Sequence, residues 1–73
     1  MKLHIAVYKN GRKIGYVKSI AYKKMQMQLT DNPSEAKGYS SVSGQDRAFS
    51  DIDTCTAISF QRDGYLSEVY SLE

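Results

Sequence analysis

Apolar and polar residues alternate along the first twenty positions, which is the pattern of β-strands with one buried face. Asn10-Gly11 interrupts the alternation and favours a type I′ hairpin turn, because both central positions of that turn need positive φ. A two-residue loop pairs Val7 with Ile14 and Ile5 with Tyr16. The core face is then predicted to carry Leu3, Ile5, Val7, Ile14, Tyr16 and Ile20. The other face carries His4, Ala6, Tyr8, Lys13, Gly15 and Val17.

A third strand is expected directly after this hairpin, since Met25, Met27 and Leu29 alternate with polar residues. If Lys23-Lys24 forms the turn, Ile20 pairs with Met27 and the three strands make an antiparallel meander. Lys-Lys is a poor pair for a type I′ turn, so a longer or bulged loop is the alternative.

A short helical or 3₁₀ segment is predicted to follow the meander. Asn32 suits the N-cap, Pro33 the first helical position, and Glu35 the third position of a capping box. Gly38 is expected to close the segment in the left-handed conformation. The Ser-rich stretch 39–44 predicts a loop.

A second helix is predicted over residues 45–54, with Ser43 as its cap, because apolar residues recur there at helical spacing. These residues are Ala48, Phe49, Ile52 and Cys55. Beyond it, residues 57–61 and 65–70 flank Asp63-Gly64 and predict a C-terminal hairpin. Residues 1–73 are thus expected to form a single α+β domain. Its small antiparallel sheet would consist of the three-stranded N-terminal meander plus this hairpin, packed against one or two short helices.

The chemistry-bearing residues are too few for the usual metal or redox sites. Cys55 is the only cysteine and His4 the only histidine, which excludes an internal disulfide and leaves too few ligands for the usual zinc site of four Cys or His side chains. No phosphate-binding or nucleophile motif is present. We therefore expect a protein that is not an enzyme and needs no cofactor. No stretch reaches membrane-spanning length, and the N-terminus lacks a signal peptide's apolar core, which predicts a cytoplasmic protein without membrane contact.

Charge is distributed unevenly between the two halves of the chain. Residues 1–37 carry eight Lys/Arg and two acids, a net charge of +6, whereas residues 38–73 carry two Lys/Arg and six acids, a net charge of −4. The acidic half predicts a protein-binding surface made of Asp46, Asp51 and Asp53. The basic half predicts, as an alternative, a nucleic-acid-binding surface made of Tyr8, Lys9, Arg12, Lys13, Lys23 and Lys24. Contact between the two halves of different copies would give a homodimer.

Two stretches resemble proteins of phages and prophages. Residues 5–14 (IAVYKNGRKI) are similar to a hairpin of small phage anti-CRISPR proteins, and residues 29–39 (LTDNPSEAKGY) are similar to a segment of short phage and prophage proteins. The resemblance implies a small accessory protein in the host cytoplasm that binds a host protein complex. Such a protein would inhibit a nucleic-acid-handling or defence complex by protein–protein contact. The alternatives are a nucleic-acid-binding accessory protein and a structural or dimeric module.

Overall fold

The computed structural model describes residues 2–73, in which six strands form two antiparallel sheets beside one α-helix. The elements are β1 (Lys2–Leu3), β2 (Ile5–Lys9), β3 (Arg12–Ala21), β4 (Gln26–Thr30), a 3₁₀ turn (Pro33–Glu35), β5 (Tyr39–Ser40), α1 (Gln45–Asp63) and β6 (Val69–Leu72). The larger sheet has the order β4-β3-β2-β6, and β1 pairs with β5. The predicted α+β class and the three-stranded meander are confirmed.

The first hairpin has the predicted turn and a different register. Asn10 and Gly11 have φ values of 54° and 78°, so the two-residue loop is confirmed. A bulge between Val7 and Tyr8 then pairs Val7 with Gly15, not with Ile14. Ile14 becomes the extra residue and is 44% exposed, so its predicted place in the core is wrong.

This bulge also moves the next residues of β3 to the opposite faces. Tyr16 pairs with Ala6 on the outer face, and Val17 becomes fully buried, so the predicted faces are wrong for both. A second irregularity between Val17 and Ser19 returns the residues after it to their predicted faces of the sheet. Ile20 therefore packs against the core opposite Met27, as predicted. The connection to β4 is the longer loop, Tyr22–Met25.

The 3₁₀ turn has the predicted cap, and only its end differs. The Asn32 side chain accepts a hydrogen bond from the Ser34 amide at 3.0 Å, and Pro33 occupies the first helical position. The turn ends at Ala36 in an extended conformation, so the left-handed Gly38 closure is wrong. Part of the predicted Ser-rich loop, Tyr39–Ser40, is the strand β5.

The largest correction concerns the C-terminal third. α1 runs on to Asp63, so the predicted hairpin is wrong. Gly64 adopts the left-handed conformation, and its amide donates to the Phe60 carbonyl at 2.7 Å, which ends the helix. At the other end Gly44, not Ser43, is the N-cap residue. The last strand, β6, pairs with β2, with Val7 opposite Tyr70.

The core lies between α1 and the inner face of the larger sheet. The buried residues of α1 include the small side chains of Ala48, Cys55 and Ser59. The buried cluster consists of Ile5, Val7, Val17, Tyr39, Ala48, Cys55 and Tyr70. Within residues 2–73, no helix is long and apolar enough to cross a membrane.

Candidate functional site

The solvent side of α1 carries two aromatic and two acidic side chains in one row. The buried positions of α1 follow one stripe, which includes Ala48, Cys55 and Ile58. The opposite stripe exposes a set spaced three, four and seven residues apart: Asp46, Phe49, Asp53 and Phe60. Residues at such spacings share one side of a helix. We call this set the acidic aromatic face.

Two phenylalanines on this face are exposed to solvent on the same side of one helix. Phe49 is 54% exposed and Phe60 is 50% exposed. The rise of an α-helix places them roughly 16 Å apart, with Asp53 between them. Burying a phenylalanine fully stabilises a structure by about 1.5–3 kcal/mol. Each ring is about half exposed, so about half of this free energy remains available for binding.

The helix arginines lie away from this face and are engaged in other contacts. Arg47 lies within 3.5 Å of Asp51, and Arg62 contacts Asp63 and Glu68 at 2.9 and 3.0 Å. Hydrogen bonds from Arg62 and Ser67 lower the pKa of Asp63 to about 2. Since both arginines are paired elsewhere, Asp46 and Asp53 give the acidic aromatic face a negative charge.

Asp51 does not join the other two predicted acids, because it lies on the buried side of α1. Its exposed fraction is 1%. Tyr22 and Tyr39 donate hydrogen bonds to its two carboxylate oxygens at 2.6 and 2.5 Å, and Lys37 Nζ lies 3.3 Å away. The structure therefore brings Asp46 and Asp53 together and places Asp51 inside the fold.

The Asp51 carboxylate is held in its ionised form by its neighbours. Burial by itself would raise its pKa, but the hydrogen bonds from Tyr22, Tyr39 and Lys37 outweigh burial and lower the pKa below the ordinary 3.8. Burial and the adjacent carboxylate raise the pKa of Tyr39, which stays a neutral donor. These contacts join α1 to the β3–β4 loop and to β5, and so hold the acidic aromatic face in position.

A second polar cluster anchors the C-terminal end of α1. The Tyr70 hydroxyl donates a hydrogen bond of 2.6 Å to Oε1 of the buried Glu68 carboxylate, and Arg62 Nη2 lies 3.0 Å from the same oxygen. Ser67 donates to Asp63. The helix end that carries Phe60 is thus tied to the segment leading into β6.

The predicted nucleic-acid-binding residues fall into separate groups. Lys13 forms an ion pair with Glu73 at 2.7 Å, and Tyr8 donates to the same carboxylate at 2.5 Å. This acid raises the pKa of Lys13 and partly neutralises its surroundings. Lys9 and Arg12 remain exposed beside the Asn10-Gly11 turn.

The remaining two basic residues, Lys23 and Lys24, lie in the loop at the opposite end of β3. That strand has ten residues, which corresponds to roughly 30 Å between its ends. The structure therefore does not bring the six residues together into one basic surface.

Neither Cys55 nor His4 forms part of a reactive arrangement in the described part of the chain. Burial raises the pKa of the Cys55 thiol to about 12, which keeps it protonated at neutral pH. His4 Nδ1 lies 3.1 Å from the Lys37 carbonyl oxygen. The His4 ring is half-buried beside the Tyr16 ring. Residues 2–73 contain no group of three or more His, Cys, Asp or Glu side chains placed to hold a metal ion.

Sequence reasoning missed the acidic aromatic face because it ended the helix too early. Extending the helical spacing beyond residue 54 would have put Phe60 on the same side as Phe49. The spacing within the predicted helix already puts Asp51 on the side of Ala48 and Cys55. No family model, curated protein or solved structure matches this chain. The interpretation of the site therefore rests on its own geometry.

Proposed function

We propose that this protein is a non-enzymatic binding module that docks on another protein through the acidic aromatic face. The observation that carries the proposal is the exposure of Phe49 and Phe60 on one side of α1, with Asp46 and Asp53 beside them. Aromatic side chains supply most of the binding free energy in many interfaces, and charged neighbours set specificity and association rate.

The partner should match this face in shape and charge. It needs two apolar pockets roughly 16 Å apart, to receive Phe49 and Phe60. It also needs basic side chains near them, to meet Asp46 and Asp53. Basic surfaces of this kind are typical of nucleic-acid-handling proteins. A host complex of that class, inhibited by occupation of its basic surface, is the partner that we propose.

The rigidity of the face supports docking without rearrangement. Asp51 ties the first half of α1 to the β3–β4 loop and β5, and Glu68 ties its last turn to β6. An interface that is already ordered loses less conformational entropy on binding. Direct nucleic-acid binding has less support, because Lys13 is paired with Glu73 and the other basic residues lie at two ends of β3.

The test compares variants in a capture experiment with extract of the cells in which the chain is naturally produced. Phe49→Ala/Phe60→Ala removes the apolar anchors, and Asp46→Lys/Asp53→Lys reverses the charge. Val42→Ala, at an exposed valine outside α1, is the matched control for loss of apolar surface. Lys23→Glu/Lys24→Glu is the control for charge reversal. Circular dichroism verifies that each variant is folded.

We expect the wild-type chain and both controls to retain the same defined protein, and both helix variants to lose it. Each phenylalanine at the centre of an interface should weaken binding roughly tenfold or more when truncated. Retention of the same proteins by all variants would exclude this face as the binding surface. Anisotropy with labelled mixed-sequence DNA and RNA tests the alternative. Micromolar binding that weakens steeply with salt and depends on Lys23 and Lys24 would replace the proposal by direct phosphate contact.

A further inference from the structure

The strand β4 forms an open edge of the larger sheet. It hydrogen-bonds to β3 on one side, and within residues 2–73 no strand pairs with its other side. Natural edge strands are commonly protected by charged residues or proline within the strand. β4 has the sequence Gln-Met-Gln-Leu-Thr, which contains neither. Its backbone groups are therefore accessible to a further strand.

A groove lies beside this edge, between the start of β4 and the second half of α1. It has a volume of about 500 Å³. Met25, Met27 and Ile58 provide its apolar lining, and Lys24, Gln26, Gln61 and Arg62 provide its polar lining. A strand added to β4 would place every second side chain on the side of this groove.

We propose that a second copy of this chain occupies the edge, with the two β4 strands antiparallel and paired about Gln28. In this register Gln28 lies opposite the partner's Gln28, Met27 opposite the partner's Leu29, and Gln26 opposite the partner's Thr30. The apolar pair falls on the side of the core and the groove, and the polar pairs fall on the outer face. A shift by one residue would place apolar side chains opposite polar ones. The strand is therefore complementary to itself in one register.

Charge favours the same arrangement. The start of β4 follows Lys23 and Lys24, and its end precedes Asp31, all of them exposed. Antiparallel pairing brings the basic end of each strand to the acidic end of the other, twice in one dimer. Such a twofold arrangement closes on itself and does not propagate.

The contact is small, so the dimer should be weak and reversible. A pair of five-residue strands buries less surface than a stable interface of about 1,600 Å² needs. The strand edge is also distinct from the acidic aromatic face on the solvent side of α1. The inference is consequently independent of the proposed function, and either can fail without the other.

Gln28 provides a test that depends on the register. Gln28→Lys and Gln28→Glu each place two like charges opposite each other across the twofold axis, whereas an equimolar mixture of the two variants places opposite charges there. Gln28 is exposed, and its side-chain contact is a 3.4 Å hydrogen bond with Ser19, so the fold should tolerate both changes. Gln26→Lys is the matched control, because its lysine would face the partner's Thr30.

Sedimentation equilibrium of the full chain, up to about 1 mM, measures the dimer dissociation constant. We expect the wild-type chain to dimerise and each Gln28 variant to have a dissociation constant raised roughly fivefold. The mixture of the two Gln28 variants should return to at least wild-type affinity, and Gln26→Lys should change the dissociation constant little. A wild-type chain that stays monomeric throughout would overturn the inference. So would equal weakening by Gln26→Lys and Gln28→Lys, or a mixture that associates no better than its components, since each outcome would exclude this register.

Discussion

Replacing Asp51 by alanine should cost this small domain much of its stability. The carboxylate accepts hydrogen bonds from Tyr22 at 2.6 Å and Tyr39 at 2.5 Å, and it lies within ion-pair distance of Lys37 and Arg47. Removing it leaves these groups without their acceptor. Tyr22 and the two cations can reach water, whereas Tyr39 is only 5% exposed and cannot.

The magnitude follows from these contacts. A hydrogen bond to a charged group contributes about 1.5–3 kcal/mol, and an orphaned buried hydroxyl costs about 1–3 kcal/mol. The alanine variant no longer has the free-energy cost of burying a charged carboxylate, and this difference offsets part of the lost stability. Breaking a buried ion pair from one side costs about 3–5 kcal/mol in other proteins. We expect about 3 kcal/mol for Asp51→Ala, against a total stability of roughly 4–11 kcal/mol for a chain of this length.

Urea unfolding followed by circular dichroism measures the free energy of unfolding. Asp51→Asn keeps the shape of the side chain and one carbonyl acceptor, so its free energy of unfolding should fall by about half as much as that of Asp51→Ala. Asp53→Ala, two positions along the same helix and exposed, is the matched control and should change stability by less than about 0.5 kcal/mol. A loss below about 1 kcal/mol for Asp51→Ala would refute the reasoning, because the buried network would then contribute little to the fold.

One further prediction follows from the Asp51 contacts, and another follows from the close approach of β4 to Gly15. The pKa of Asp51 is lower in the folded than in the unfolded state, so its stabilisation is present above the unfolded pKa of 3.8 and is lost as the pH falls through the folded value. The difference in urea midpoint between wild type and Asp51→Asn should therefore become smaller as the pH is lowered from about 7 to about 3. A difference that stays constant over this range would contradict the lowered pKa of Asp51. Gly15→Ala should destabilise by about 2 kcal/mol, because an added Cβ would lie 2.7 Å from the Thr30 carbonyl oxygen at a φ of +154°. Gly11→Ala, also at positive φ but without a close contact, should cost less, and equal losses in thermal unfolding would show that the approach of β4 is not the cause.

Local features of the sequence were sufficient to predict the first hairpin turn and the start of the 3₁₀ turn. Asn10-Gly11 specifies its turn because the φ values that it needs belong to those two residues. Asn32 and Pro33 likewise specify the start of the 3₁₀ turn. The alternation through Leu29 predicts the meander, and Ile20 was placed opposite Met27 correctly. Asp46, Asp51 and Asp53 were predicted as one acidic surface; Asp46 and Asp53 are exposed on one side of α1, whereas Asp51 is buried.

Tertiary structure decided everything that depends on contacts between distant residues. The bulge between Val7 and Tyr8 and the close approach of Thr30 to Gly15 are both contacts between strands, which no local pattern shows. Residues 57–61 fit a strand or a helix by local spacing, and Ile58 becomes buried only when that segment is helical and packed on the sheet. β6 then pairs with β2, more than sixty residues earlier in the chain.

The same dependence explains the candidate site. Asp51 is a surface acid or a buried one depending on whether Tyr22, Tyr39 and Lys37 reach it, and these residues come from the β3–β4 loop and the segment around β5. The sequence by itself determined the Asn10-Gly11 turn, the Asn32 cap and the charge asymmetry, because these are properties of adjacent residues. The fold decided which side of α1 is left in water, because burial is a property of the whole packed chain.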